Sequence, residues 1–198
     1  MNINPNRTLL LIVDVQNDFC PGGALAVNDG DAVAAPLNAL SAALTARGGR
    51  AAATQDWHNA EHSSFLQWPC HCVQGTKGAE FHPNLDLNPV TIIIRKGFRQ
   101  ELDSYSAFFE NDSSTATGLE GCIKQTNIET VIIGGLATDY CVLYSAMDSR
   151  RLGFNTIVVT DAIRGVNQPE GSAEKAIETM KANGIQFYTS QEILDILK

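Results

Sequence analysis

The chain has 198 residues, of which 44% are apolar and 18% charged, with a formal net charge of −8. That size suits one folded domain over 1–198 with a long loop excursion, and the composition is globular rather than disordered. An acidic chain without a Lys/Arg cluster argues against nucleic acid and against anionic membrane surfaces, and leaves a small, weakly charged substrate.

The first element, Thr8–Val15 (TLLLIVDV), reads as a strand covered on both faces. Its apolar stretch, Leu9–Val13, is too short for a signal h-region. No run approaches the ~20 apolar residues of a membrane span, so a cytoplasmic protein is expected. Asp31–Arg47 is predicted helical, because Val33, Leu37, Leu40 and Leu44 share one face, and Gly48-Gly49 ends it. Arg50–Thr54 is a weaker, Ala-rich strand leading to Gln55-Asp56-Trp57-His58. Thr91–Arg95 (TIIIR) is a strand, and Ser114–Gln125 a helix capped by Ser113 or Ser114. Thr130–Leu136 is a strand and Thr138–Leu152 a helix ended by Gly153. Strand Asn155–Thr160, helix Ser172–Asn183, strand Ile185–Thr189 and helix Gln191–Leu197 complete the order.

Strands separated by helix-length connections, several without inside/outside alternation, predict an α/β protein: a parallel sheet between helices. The segment 59–89 does not fit that rhythm. It is rich in His, Pro, Gly and Cys, and a loop of that length in a compact domain is usually functional.

Polar residues concentrate where the predicted strands end. Asp14 lies near the end of the first strand, Asp56 and His58 follow the second, Lys96 the third and Cys141 the fourth. In an open parallel sheet these ends share the edge where ligands bind. A carboxylate inside LLLIVDVQ costs several kcal/mol, on the order of other buried charges, unless it is paired. Lys96 is its natural partner, and a nearby ammonium favours the ionised forms of both an aspartate and a cysteine. Cys141 sits in the first turn of a predicted helix, where unpaired N–H groups stabilise a thiolate and can hold a developing oxyanion. The five cysteines, at 20, 70, 72, 122 and 141, have no framework spacing and read as free thiols. Cys20 reads as a loop thiol and Cys122 as a core residue on a helix face.

Asp56-x-His58 on an extended segment sends both side chains to one side. With one of His62, His71 or His82, it makes a two-His, one-carboxylate set suited to Zn²⁺, Fe²⁺ or Mn²⁺ with open positions. Phe19, Trp68 and Tyr105 lie on loops near the same rim, where they can stack on a flat heteroaromatic substrate or simply cover the core.

Taken together, LLLIVDVQNDFCPGGALAV, QDWHNAEHSSF, WPCHCVQGTKGAEFHP, KGFRQELDSYSAFF, GLATDYCV and VVTDAIRGV make the chain resemble, nearly end to end, the nicotinamidases of the isochorismatase-like hydrolase superfamily. The resemblance implies a three-layer α/β/α sandwich around a six-stranded parallel sheet. It implies hydrolysis of nicotinamide, and of pyrazinamide, in NAD salvage, through a thioester on a cysteine. Asp14, Lys96 and Cys141 match the family's triad. Asp56, His58 and His71 match its ligands for one divalent transition metal, zinc before iron or manganese, with His62 second. A cis Leu136–Ala137 peptide would aim the Ala137 N–H into an oxyanion hole with the Cys141 N–H. Phe19 and Trp68 match the residues that sandwich the ring, with Leu25, Tyr105, Leu136 and Tyr140 nearby. The resemblance is compatible with a homo-oligomer. One departure is the short stretch between Ser64-Phe65 and Trp68, where many relatives carry an insertion.

Three other readings use the same residues. Another small amide, such as an N-carbamoyl compound or a ureidoacrylate, would use the same triad without need of the metal loop. A thiol redox enzyme would oxidise Cys141 and resolve it with Cys20, Cys70 or Cys72. A catalytically silent metal-binding module would use the metal loop alone.

Overall fold

The computed structural model describes residues 3–198. Six strands form one parallel sheet: β1 (Thr8–Val13), β2 (Arg50–Asp56), β3 (Val90–Lys96), β4 (Thr130–Leu136), β5 (Asn155–Arg164) and β6 (Gln186–Tyr188). They lie in the order β3-β2-β1-β4-β5-β6. The helices are α1 (Ala34–Thr45), α2 (Leu119–Lys124), α3 (Leu143–Arg151), α4 (Ser172–Ala182) and α5 (Ser190–Ile196). Among the described residues, no helix is long and apolar enough to cross a membrane.

The unbroken apolar run of β1 has a simple cause. Successive strand residues point to opposite faces, so a strand with helices on both sides needs apolar residues at every position. Leu10 and Ile12 join Leu37, Leu40 and Leu44 of α1 and Ile193 of α5 in one core cluster. Leu9, Leu11 and Val13 join Leu119 and Ile123 of α2, Ala146 of α3 and Met180 of α4 in a second. The two clusters are the two interfaces of an α/β/α sandwich, as the sequence led us to expect.

The winding reverses direction between β1 and β4, and in such sheets the crevice outside the carboxyl ends of those strands receives the ligand. Gly135 makes the approach of β4 to β1 possible. Its φ is +127°, and a Cβ there would lie 2.0 Å from the Val13 carbonyl oxygen. The residue after β1, Asp14, and the turn after β4 therefore emerge side by side.

Three expectations are corrected. The helix predicted from Ser114 starts only at Leu119, because the Asp112 carboxylate accepts from the N–H groups of Ser114 and Thr115 and from the Thr115 hydroxyl, holding a turn that competes with helix. Cys122, on that shortened helix, is exposed rather than part of the core. The single helix predicted over Thr138–Leu152 opens as a wider π-type turn, Thr138–Val142, before α3 begins. The strand read from TIIIR is β3, whose run of isoleucines shows no alternation in sequence. It is an edge strand with alternating burial, and Ile93 faces out.

The loop over 59–89 is ordered by two short 3₁₀ turns, Ser63–Leu66 and Lys77–Ala79, and by bridges His58–Val73 and Gln16–Phe81. It folds back over the carboxyl ends of β1 and β2.

Candidate active site

Four consecutive strand ends supply the charged groups. Asp14 follows β1 directly with φ +48°, a backbone conformation that turns its side chain out of the strand path. Asp56 closes β2 and Lys96 closes β3. Cys141 lies in the π-type turn after β4. Asp14 and Lys96 are fully buried, and Cys141 and Asp56 nearly so.

Lys96 is the hub. Its Nζ lies 2.8 Å from Asp14 Oδ2, donates to the Ser104 carbonyl at 2.8 Å, pairs with Asp56 Oδ1, and reaches Cys141 Sγ at 3.5 Å. The Asp14 contact is an ion pair whose angles fall short of a well-aligned hydrogen bond, since Oδ2 has no aligned donor. Asp14 Oδ1 instead accepts from the Thr54 hydroxyl at 2.6 Å. One donor atom each of Asp14, Asp56 and Cys141 lies within 4.8 Å of the others.

The electrostatics differ from the simple picture in which Lys96 holds both Asp14 and Cys141 ionised. Burial pulls the Lys96 ammonium down, but Asp14, Asp56 and Cys141 together push it well above its ordinary value, so it stays charged. For Asp56, burial pushes upward and is outweighed by Lys96, helped by His58 and His71, which hold the carboxylate below its usual range. For Asp14, burial wins over Lys96 and the carboxyl is pushed up. Burial also pushes the Cys141 thiol well up, with Lys96 opposing and the two aspartates adding to the rise. One ammonium thus serves two carboxylates, and Asp14, whose carboxyl binds a proton more readily than a free one, lies near the thiol. Such a pair is set up to pass one proton between them.

Behind this cluster stand two imidazoles. His58 Nε2 is 3.6 Å from Asp56 Oδ2, and His71 Nε2 is 3.9 Å from the same oxygen. Those separations are too long for hydrogen bonds, but they suit donors about 2 Å from a common centre. Each ring is fixed from behind, with His58 Nδ1 donating to the Gly97 carbonyl at 2.8 Å and His71 Nδ1 to the Pro69 carbonyl at 2.7 Å. In the neutral rings that leaves both Nε2 lone pairs on the side of Asp56, and His58 Nε2 is a buried atom without a hydrogen-bond partner. Gly97 has φ +61°, and a Cβ there would come within 2.7 Å of His58 Cε1. A three-donor N/N/O set of this kind fits a divalent transition metal.

His62 stacks on His58 with ring centroids 4.1 Å apart. Its Nδ1 accepts from the Ser64 N–H at 3.1 Å, so in the neutral ring Nε2 carries the proton. It forms a second acid-imidazole group with His58 and Asp103, outside the Asp56/His58/His71 set. His82 belongs to neither set.

A narrow cavity opens onto the thiol, lined in part by Asp56, His71, Ala137 and Cys141. Phe19, Leu25, Trp68, Tyr105 and Tyr140 line it as well. The Trp68 and Tyr140 rings meet edge-on, centroids 4.9 Å apart, and the Trp68 indole N–H donates to the Tyr105 hydroxyl at 3.0 Å. Leu136 does not reach the cavity; it is fully buried in the α1-side core. Sequence reasoning missed Ser64, Asp103 and Val166, which also line it. Asp103 had a signal, two residues before Tyr105 in the same loop, whereas Val166 had none beyond following β5.

The Leu136–Ala137 peptide is cis. The Ala137 carbonyl accepts from the N–H groups of Tyr140 and Val142, either side of Cys141, both at 3.1 Å. Of the other thiols, Cys20 is buried, its pKa pushed up to about 11 by burial and by Asp31, and it lines a separate cleft with Pro21 and Lys77.

A doubly wound α/β sandwich with a buried Asp–Lys–Cys cluster at its switch point, beside an Asp/His/His set, defines a class of cysteine hydrolase-like proteins. The chain belongs to the isochorismatase domain family, whose model matches residues 8–192. It is 42% identical over 209 residues to a nicotinamidase of Acinetobacter baylyi, covering 96% of this chain and 95% of that one. A structure of PnC1 from L. infantum in complex with nicotinate superposes with a TM-score of 0.90 at 36% identity, covering 96% of each chain. A structure of the pyrazinamidase of Pyrococcus horikoshii in complex with zinc does so at 0.83 and 36% identity, covering 92% of this chain and 99% of that one.

Proposed function

We propose that this protein is a nicotinamidase, hydrolysing nicotinamide to nicotinic acid and ammonia and accepting pyrazinamide, with Cys141 as nucleophile. The observation that carries the reading is the placement of Lys96 Nζ against both Asp14 Oδ2 and Cys141 Sγ, behind an aromatic cavity that Cys141 lines together with Asp56 and His71. The A. baylyi and L. infantum relatives support the choice of substrate.

Asp14 takes the Cys141 proton, and Lys96 offsets the negative charge that develops on the sulfur. The thiolate attacks the carboxamide carbon. The N–H groups of Ala137 and Cys141 are the donors assigned to the resulting oxyanion, where one such donor typically contributes about 3 kcal/mol. Asp14 returns the proton to the nitrogen as the C–N bond breaks and ammonia leaves. Asp14 then deprotonates a water that cleaves the thioester and frees the carboxylic acid. Phe19 and Trp68, with Tyr105 and Tyr140 behind, sandwich the ring and hold the amide over the sulfur.

Asp56, His58 and His71 would hold one divalent metal, for which we propose zinc ahead of iron or manganese, as in the P. horikoshii relative. When bound, it supplies a Lewis-acid contact that orients the ring nitrogen. The test is ammonia release from nicotinamide with and without chelator. Release that falls on chelation and returns with zinc supports the reading; no release from the metal-replete protein refutes it.

A further inference from the structure

Thr54 has no part in the chemistry described above, yet it is one of the best-defined contacts in the site. It stands on β2 beside the end of β1, where the register pairs Ile12 with Ala53, and it is fully buried. Its hydroxyl has one hydrogen, donated to Asp14 Oδ1 at 2.6 Å, and it accepts the Asp14 backbone N–H at 3.2 Å. One side chain therefore holds both the main chain and the carboxylate of a residue with positive φ. Burial keeps water from competing for either bond. The threonine methyl restricts χ1, so the hydroxyl has little freedom to turn away. Asp14 Oδ2 is left facing Lys96 Nζ at 2.8 Å, the same nitrogen that touches Cys141 Sγ, and has no aligned hydrogen-bond donor of its own.

We propose that Thr54 is a positioning residue for the hydrolysis: it occupies Asp14 Oδ1 and so fixes Oδ2 as the oxygen that takes the Cys141 proton and hands it to the departing nitrogen. In the first transfer the S–H bond breaks and an Oδ2–H bond forms; in the second that bond breaks as the proton passes to nitrogen and the C–N bond opens. Without the Thr54 hydroxyl, the carboxylate is free to rotate and to present either oxygen, or neither, to the sulfur. The inference rests on the nicotinamidase reading and is tested separately from it.

The experiment compares the unaltered protein with Thr54→Val, which keeps the shape, and Thr54→Ser, which keeps the hydroxyl. Steady-state ammonia release, melting temperature and bound metal are measured for each. Thr54→Val should lose roughly 10- to 100-fold in kcat with KM within about twofold, and Thr54→Ser should recover most of the rate. A Val variant with unchanged kcat overturns the proposal, as does a Ser variant as slow as Val or a loss confined to KM. Should Thr54→Val fail to fold, Thr54→Ala carries the same expectation. An unaltered protein without turnover refutes the nicotinamidase reading itself, whereas an active parent with an unaffected Val variant refutes only the role of Thr54.

Discussion

Two buried carboxylates stand at the same rim of the sheet and are held in opposite ways. Asp139, two residues before Cys141, has both oxygens occupied by neutral donors: the N–H groups of Val166 and Asn167 at 2.9 and 2.8 Å, and the Ser172 hydroxyl at 2.5 Å. These bonds tie the turn carrying the thiol to the loop that brings Val166 to the cavity. Asp14 has one oxygen held by Thr54 and the other set against the ammonium that also touches the thiol. A carboxylate saturated by fixed dipoles has nowhere to take a proton from and serves as a tie. A carboxylate with one free oxygen beside a buried cysteine is available for proton transfer. The difference lies in the donors, not in burial, which the two share.

Substitutions can break or sharpen this contrast. The largest effect is expected from Cys141→Ala, which should abolish ammonia release, by about 10⁴-fold or more, while nicotinamide still binds in calorimetry. Cys20→Ala, the control buried thiol, should leave kcat essentially unchanged.

Next comes Asp14→Asn, expected to cost about 10³-fold in kcat without loss of stability. Burial raises the folded pKa of Asp14 above its unfolded value of about 3.9. A group raised in this way favours folding most when protonated, below the unfolded pKa, and its contribution is lost as pH rises through the folded pKa. Asparagine removes that loss, and Lys96 keeps Asp56 as a partner. The melting temperature of Asp14→Asn at neutral pH should equal or exceed that of the parent; a large drop would place Asp14 with the structural carboxylates.

His71→Ala should lower bound metal, read by elemental analysis, and raise KM about tenfold or more with a smaller change in kcat. Asp139→Ala should do the reverse of Asp14→Asn. It strands two backbone N–H groups and a hydroxyl, and should lower stability by about 3 kcal/mol in denaturant unfolding while activity below the transition changes much less. The smallest effect belongs to Tyr140→Phe, which removes a half-exposed hydroxyl bond to the Gln168 carbonyl at 2.6 Å and should cost about 1 kcal/mol or less.

What could be read from the sequence follows the same physics. The α/β class was legible because β1 and β4 carry unbroken apolar runs, Leu9–Val13 and Val131–Ile133, a pattern imposed by helices on both faces. Asp14, Lys96 and Cys141 were legible because each stands just past or at the end of such a run, and parallel strands bring those ends together. The late start of α2 was hidden because Ser114 and Thr115 read as the first helical residues until the turn that Asp112 holds is seen. The edge position of β3 was equally hidden, since Ile92, Ile93 and Ile94 carry no mark of which face is covered. Thr54 was invisible for another reason: a threonine in an Ala-rich strand is ordinary, and its importance comes only from facing Asp14 across the β1–β2 register.

The claim beneath all of this is that the sulfur of Cys141 carries the acyl group. Acid quenching during nicotinamide turnover, followed by peptide mass analysis, tests it most directly. A nicotinoyl adduct on the peptide containing Cys141, absent from the Cys141→Ala protein, is the predicted result. An adduct on the Cys20 peptide instead, or undiminished ammonia release from Cys141→Ala, would contradict it.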